Sequence, residues 1–180
     1  SAGAELMRLR FDRTAAQART DSEAAARAAR GLGIARGAVL FKDIEQVSSC
    51  RGEPTSAYLL AWYRSLARTK YRTGFYGNTH RQSYDFPVAY CAAAARSAHF
   101  TANVVLDMNQ PEPQLGALRN TIGPGNAPRF HPSEPSCTPP GATVIWQYGE
   151  SSDPANLTDV DQARPGTAGL LAPDGTVTGR

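Results

Sequence analysis

The sequence predicts an α/β fold in which parallel strands alternate with helices. Short apolar runs that end in polar or turn residues alternate along the chain with helix-like segments of ten or more residues. A parallel connection needs a crossover of this length, usually a helix, so the alternation favours parallel pairing. The chain has 180 residues, which is enough for one domain with a core. It is shorter than the roughly 250 residues of a complete (β/α)₈ barrel.

The N-terminal half contains two predicted helices and two predicted strands. Ala, Arg, Gln and Glu dominate the first helix, and glycines end it. An apolar run closed by charged residues then predicts a buried strand. The second helix starts at a Pro-Thr-Ser sequence and carries one apolar stripe. The predicted segments are a helix over 14–32, a strand over 38–45, a helix from Pro54 to Leu66 and a strand over 71–76.

The C-terminal half continues the alternation and then loses it. Pro87 introduces an Ala-rich helix over 88–98, and a third strand follows over 100–108. Eight prolines break the segment 110–141, which predicts a long irregular excursion. A fourth strand is predicted over 142–148, and the remainder is turn-rich. We therefore expect one domain over 1–165 and a flexible tail over 166–180.

Composition excludes several classes of protein. Leu, Ile, Val and Phe make up 17% of the chain, a low share that is typical of disordered proteins when the net charge is high. The net charge is only +3, so the composition favours a folded domain. No run approaches the roughly 18 apolar residues of a membrane-spanning helix. The arginines recur between alanines on helix-like stretches, as on a solvated helix face, so nucleic acid is not an expected partner.

The three cysteines, Cys50, Cys91 and Cys137, predict no metal site. None has a CxxC partner or a metal-ligand spacing to any of the three histidines, so neither a metal nor another cofactor is expected. One disulfide is permitted. The pairing of Cys91 with Cys137 is favoured because both flank loop-rich regions, which leaves Cys50 beside the candidate site.

A pair of carboxylates ends the first predicted strand. Asp43 and Glu45 are two residues apart, so they project from the same face, with Cα atoms about 6.5 to 7 Å apart. Two carboxylates in one cleft repel each other, which helps to keep one of them protonated as a general acid. The alternative interpretation is a surface pair that happens to end a strand.

Further polar and aromatic residues follow the other strands. Asp159 and Asp161 repeat the two-residue spacing after the last predicted strand. Aromatic and amide groups at strand ends are suited to stacking against a sugar and to hydrogen bonding with it. The candidate residues of this type are Tyr76, Asn78, Gln147 and Tyr148, whereas Phe75 and Trp146 at mid-strand positions are expected in the core.

At these residues the chain resembles a glycoside-hydrolase-like domain of unknown function that is related to the family-25 lysozymes. The resemblance covers about Ala24 to Asn78 well and the C-terminal third in part. The matching motifs are Leu-Gly-Ile at 32–34, Asp-Ile-Glu at 43–45, Tyr-Arg-Thr-Gly-Phe-Tyr at 71–76, Trp-Gln-Tyr at 146–148 and Asp-Val-Asp at 159–161.

The resemblance implies a (β/α)₈ TIM-barrel-like fold, here incomplete or truncated, with about four recognisable parallel strands. It also implies a cell-wall glycan of the peptidoglycan type, or a related glycan, as substrate, no metal or other cofactor, and export from the cell. By similarity, Glu45 protonates the glycosidic oxygen and Asp43 stabilises the charge on the sugar, while Asp161, or alternatively Asp159, completes the acidic pocket. The same similarity assigns sugar binding to Tyr76, Asn78, Gln147, Tyr148 and Asp159.

Two departures from that family leave alternatives open. The Asp of the family's first strand has no counterpart here, so either an N-terminal segment or another chain completes the barrel, or the barrel is a trimmed one. Lys42 stands at an outward strand position where the family has an apolar side chain, so it needs a partner or a route to solvent. The chain is therefore interpreted as a glycan hydrolase or, alternatively, as a non-catalytic wall-binding module on the same scaffold. An Arg-rich interaction protein is a weaker third interpretation.

Overall fold

The computed structural model describes residues 14–44, 56–79, 85–109, 127–150 and 159–167. These residues form helices and strands that alternate through most of the chain. The helices are α1 (Ala15–Gly31), α2 (Ser56–Ala67), α3 (Asp85–Arg96) and α4 (Ala98–Asn103), and the strands are β1 (Val39–Asp43), β2 (Arg72–Asn78), β3 (Val104–Asn109), β4 (Thr143–Glu150) and β5 (Asp159–Ala163).

The strands form one sheet in the order β1-β2-β3-β4-β5. The first four strands pair in parallel, and β5 pairs with β4 in the antiparallel sense. Within the described residues the sheet is open, with β1 and β5 at its edges. The predicted α/β class and the four predicted parallel strands are confirmed, each strand agreeing with its predicted position to within a few residues.

Helices cover one face of the sheet and form an aromatic core with it. Phe75 of β2 is fully buried, and its ring centroid lies 6.4 Å from that of Phe86 and 6.1 Å from that of Phe100. The close approach of α3 requires Gly77, since a Cβ atom there would lie 2.5 Å from the Phe86 ring. This packing confirms that Phe75 belongs to the core.

Lys42 of β1 points toward the same helices and has a partner there, as its position requires. Its Nζ lies 3.9 Å from Oδ2 of Asp21 and 5.8 Å from the centre of the Trp62 ring. Asp21 also accepts hydrogen bonds of 2.7 Å from Tyr58 and from Gln17. One carboxylate of α1 therefore connects this helix to both α2 and β1.

Two local features differ from the sequence prediction. The third strand starts at Val104 instead of Phe100, because Ser97 caps a short helix by accepting a hydrogen bond of 3.1 Å from the Phe100 N–H. Strand β5 lies in a segment that the sequence indicates to be turn-rich. Its single large apolar residue, Val160, gives no strand signal, and the strand is formed by pairing with β4.

The segment 127–142 contains neither helix nor strand, in agreement with the predicted irregular excursion, whose first part lies outside the described residues. A disulfide between Cys91 of α3 and Cys137 ties this segment to the helix layer, with Cα atoms 5.6 Å apart. The favoured cysteine pairing is thus confirmed. Cys50 lies outside the described residues, as does most of the predicted tail, from residue 168 onward.

Among the helices that the structure describes, none combines the length and the apolar character that crossing a membrane requires.

Two buried tyrosines offer a matched test of the core. Burial, with a smaller contribution from Glu134, raises the pKa of Tyr90 to about 12. Its hydroxyl has no hydrogen-bond partner among the described residues, whereas the Tyr71 hydroxyl donates a 2.9 Å bond to the Ile34 carbonyl. We expect Tyr90→Phe to be neutral or stabilising at pH 7, and Tyr71→Phe to lower the free energy of unfolding by about 1 kcal/mol.

The same comparison predicts a pH dependence. A raised pKa in the folded state leaves stability intact below pH 10, and stability then falls as the pH rises toward 12. The loss attributable to Tyr90 is on the order of 2 kcal/mol. Urea denaturation of the wild type and of Tyr90→Phe between pH 8 and 11.5 measures it. An identical alkaline loss in both proteins would contradict this assignment.

The disulfide predicts a large stability difference on reduction. Its two cysteines are 46 residues apart, for which the loop-closure argument gives a stabilisation of about 4 kcal/mol. In a Cys50→Ala background, which prevents exchange with the third thiol, Cys91→Ala should lower the free energy of unfolding by about 2 to 4 kcal/mol. Dithiothreitol should produce the same loss in Cys50→Ala and none in the double variant, as measured by urea denaturation.

Candidate functional site

Three polar side chains lie in one row across the carboxyl-terminal part of the sheet. In the parallel register Asp43 of β1 pairs with Tyr76 of β2, which pairs with Asp107 of β3. Paired residues of neighbouring strands project from the same face, and strands lie about 4.8 Å apart. The two aspartates therefore flank Tyr76 with Cα atoms roughly 10 Å apart.

A second polar row lies two residues further along the strands. Asn78 of β2 pairs with Asn109 of β3, Asn109 with Gln147 of β4, and Gln147 with Asp161 of β5. The carboxyl ends of parallel strands are the usual location of ligand sites in α/β folds. We refer to the seven residues of the two rows as the polar face: Asp43, Tyr76, Asn78, Asp107, Asn109, Gln147 and Asp161.

A hydrogen bond links the two rows, since the Tyr76 hydroxyl donates to Oε1 of Gln147. These side chains come from strands that are separated by β3, so the bond passes over the middle of the polar face. The amides of Asn109 and Gln147 are 5% and 3% exposed, whereas Asp43 and Asp161 at the two sides are exposed. The polar face thus has buried amides at its centre and carboxylates at its edges.

The structure brings together five of the residues that the sequence predicts for the site, namely Asp43, Tyr76, Asn78, Gln147 and Asp161. It leaves Tyr148 apart from them. This side chain lies with Trp146 on the face of β4 opposite to Gln147. It is 1% exposed, and its ring centroid lies 5.8 Å from that of Trp146. Glu45 and the side chain of Asp159 lie outside the described residues, although the backbone of Asp159 begins β5.

Asp107 and Asn109 are members of the polar face that sequence reasoning missed. Both stand at the end of β3 and are two residues apart, as Asp43 and Glu45 are at the end of the first predicted strand. This spacing at a strand end is the signal in the sequence that could have identified them. Asp107 is half-buried on β3, next to the strand that carries Tyr76. It adds a carboxylate close to the centre of the polar face, between those of Asp43 and Asp161 at its edges. The polar face therefore offers carboxylate, amide and phenol groups to a single ligand.

These groups suit a ligand that is rich in hydroxyls. Carboxylates accept hydrogen bonds, amides both donate and accept, and the phenol can do either, so together they match the mixed donors and acceptors of a sugar. Among residues 14–44, 56–79, 85–109, 127–150 and 159–167, no group of three His, Cys, Asp or Glu side chains is placed to hold a metal ion.

The link between Tyr76 and Gln147 predicts an energetic coupling. Tyr76→Phe and Gln147→Met should each destabilise the fold, while the double variant should lose less than the sum, with a coupling of about 1 kcal/mol. Urea denaturation of the four proteins measures this coupling. Tyr71→Phe combined with Gln147→Met is the matched control and should be additive, because the Tyr71 hydroxyl bonds to Ile34 instead. Additivity in both pairs would contradict the link.

Comparisons with other proteins give a family and a structural relative. A family model described as "Rv2525c-like, glycoside hydrolase-like domain" matches residues 6–162. The 1.07 Å crystal structure of an uncharacterized B. stearothermophilus protein is 28% identical in sequence, with a TM-score of 0.71. The similarity covers 87% of this chain and 65% of that one, so the chain spans about two thirds of the relative's length. No curated protein matches the sequence at a significant level.

Proposed function

Because the chain belongs to the Rv2525c-like, glycoside hydrolase-like domain family, we propose that it binds and hydrolyses a cell-wall glycan of the peptidoglycan type. The polar face is the observation that carries this proposal. Carboxylates at its edges and buried amides at its centre provide both the charges that glycosidic hydrolysis uses and the hydrogen bonds that hold a sugar.

The proposed mechanism divides the work between two carboxyl groups. Glu45 acts as the general acid and protonates the leaving glycosidic oxygen. Asp43 stabilises the positive charge that develops on the sugar, in part through the substrate's own N-acetyl group, and water then adds to the anomeric carbon and loses a proton to the Glu45 carboxylate. Asp161 completes the acidic pocket, and Asp159 belongs to the sugar-binding groups. The exposure of Asp43 at the edge of the polar face supports its access to a long polymeric substrate.

Tyr76, Asn78 and Gln147 position the sugar in this mechanism. The hydrogen bond between Tyr76 and Gln147 orients both side chains before a ligand arrives, which lowers the entropy lost on binding. Half-buried Asp107 extends the binding surface across β3, while buried Asn109 pairs with Gln147 beneath it. Tyr148 lies on the other face of β4, where its ring packs against Trp146, so it does not contact the sugar in this mechanism.

The complete fold in this proposal is a TIM-barrel-like (β/α)₈ arrangement. Four parallel strands with helices on one face and a polar row on the other are consistent with an arc of such a barrel. Among the described residues β1 is an edge of the sheet, which supports completion by a further segment or by another chain. The similarity to the B. stearothermophilus protein covers 65% of that protein's chain, which is compatible with this proposal.

Export to an oxidising environment is also proposed. The disulfide between Cys91 and Cys137 supports it, since such bonds persist mainly in secreted and cell-surface proteins. A cell-wall substrate requires the same location.

The hydrolase proposal predicts loss of activity in carboxyl-to-amide variants. The wild type should release reducing ends from purified peptidoglycan, and Glu45→Gln and Asp43→Asn should each lower the rate by about 100-fold or more. Glu23→Gln on the exposed side of α1 is a matched control that should keep full activity. Binding is measured in parallel by co-sedimentation with the wall.

The outcomes separate the two functional classes. Binding by all variants with no release of reducing ends identifies a non-catalytic wall-binding module. Absence of both binding and release overturns the glycan proposal. Equal rates for Glu45→Gln and the wild type would assign the general acid to another residue.

A further inference from the structure

A groove with a volume of about 340 Å³ lies between α1 and α2 and reaches the end of α3. These helices cover the face of the sheet opposite to the polar face, so the groove is separate from the proposed glycan site. Four arginines line it, namely Arg19, Arg64, Arg68 and Arg96, and the described residues that line it include no Asp or Glu.

The three helices place these arginines around one cavity. Arg64 lies in the last turn of α2 and Arg68 directly follows this helix, and Ala57 and Ala61 of α2 leave room between the helices. Arg19 faces them from α1. Arg96, in the last turn of α3, donates a hydrogen bond of 3.3 Å to the Ser56 hydroxyl at the start of α2.

The nearby carboxylate on α1 does not neutralise this groove. Asp21 is directed to Lys42, Tyr58 and Gln17, and its two oxygens accept or pair with those groups. The guanidinium groups that line the groove carry like charges and therefore repel one another. An anion between the guanidinium groups would remove this repulsion and gain charge-assisted hydrogen bonds.

We infer that this groove binds a phosphate-bearing ligand. The planar fork of arginine matches the oxygens of phosphate with two parallel hydrogen bonds, and several forks around one cavity can hold a single phosphoryl group. A volume of about 340 Å³ exceeds that of a bare ion and admits part of an organic substituent. The ligand class is thus a phosphomonoester or the phosphodiester of an anionic polymer.

The inference predicts saturable binding of inorganic phosphate to the full chain. Isothermal titration at constant ionic strength, with sodium chloride as the balancing salt, should show one site, and thermal denaturation should show a matching rise in Tm. Arg64→Gln/Arg68→Gln should weaken binding by at least about tenfold. Arg27→Gln/Arg36→Gln is the control, since it removes the same charge from exposed positions outside the groove and should bind as the wild type does.

A charge-conserving variant distinguishes recognition from simple attraction. Arg64→Lys/Arg68→Lys keeps both charges but loses the planar forks, so its affinity should lie between those of the wild type and the Gln variant. Circular dichroism establishes that each variant is folded. Glycerol phosphate and a short phosphodiester polymer, titrated in separate arms, show which source of phosphate binds more tightly, and saturable binding of either supports the inference.

Three outcomes would overturn it: an equal rise in Tm with chloride alone, unchanged phosphate affinity in the Gln variant, or equal losses in the Gln variant and the control. None of these depends on hydrolysis of a glycan. Failure of the proposed function and failure of this inference are therefore distinguishable.

Discussion

The parallel register of β1, β2 and β3 is the constraint on which both faces of the sheet depend. It aligns Asp43, Tyr76 and Asp107 on one face and directs Lys42 and Phe75 toward the helices on the other. A slip of one residue in β1 would exchange its two faces, placing Asp43 against the aromatic core and Lys42 among the polar rows. The helix-facing core and the polar face are thus consequences of the same pairing.

This register forces a lysine toward the helix layer, and the surrounding structure accommodates it. Asp21 supplies the countercharge and Trp62 an aromatic surface, while Tyr58 and Gln17 fix the carboxylate by hydrogen bonds. Asp21 is therefore directed inward, and the part of the nearby groove that the structure describes is lined by four arginines and no carboxylate. The charge pattern of the groove therefore depends in part on the register of β1, which places Lys42 where it pairs with Asp21.

Periodicity in the sequence predicted most of the fold, and position at strand ends predicted five of the seven residues of the polar face. Apolar runs and one apolar stripe located β1, α2 and β2, because burial on the helix face dictates those patterns. The strand β5 was missed since pairing with β4, not apolar content, forms it. Position at a strand end identified Asp43 and Gln147. The same reasoning grouped Tyr148 with Gln147, although neighbouring residues on a strand point to opposite faces.

Burial across the polar face indicates which part of the site this chain forms by itself. The central amides of Asn109 and Gln147 are nearly inaccessible, and the bond between Tyr76 and Gln147 connects β2 to β4 over β3. These contacts come entirely from strands in the middle of the sheet, so the centre is formed without a closed barrel. Asp43, by contrast, is exposed on the edge strand β1. In the proposed barrel, a strand paired with β1 would enclose Asp43, the carboxylate that the proposed mechanism places next to the developing charge.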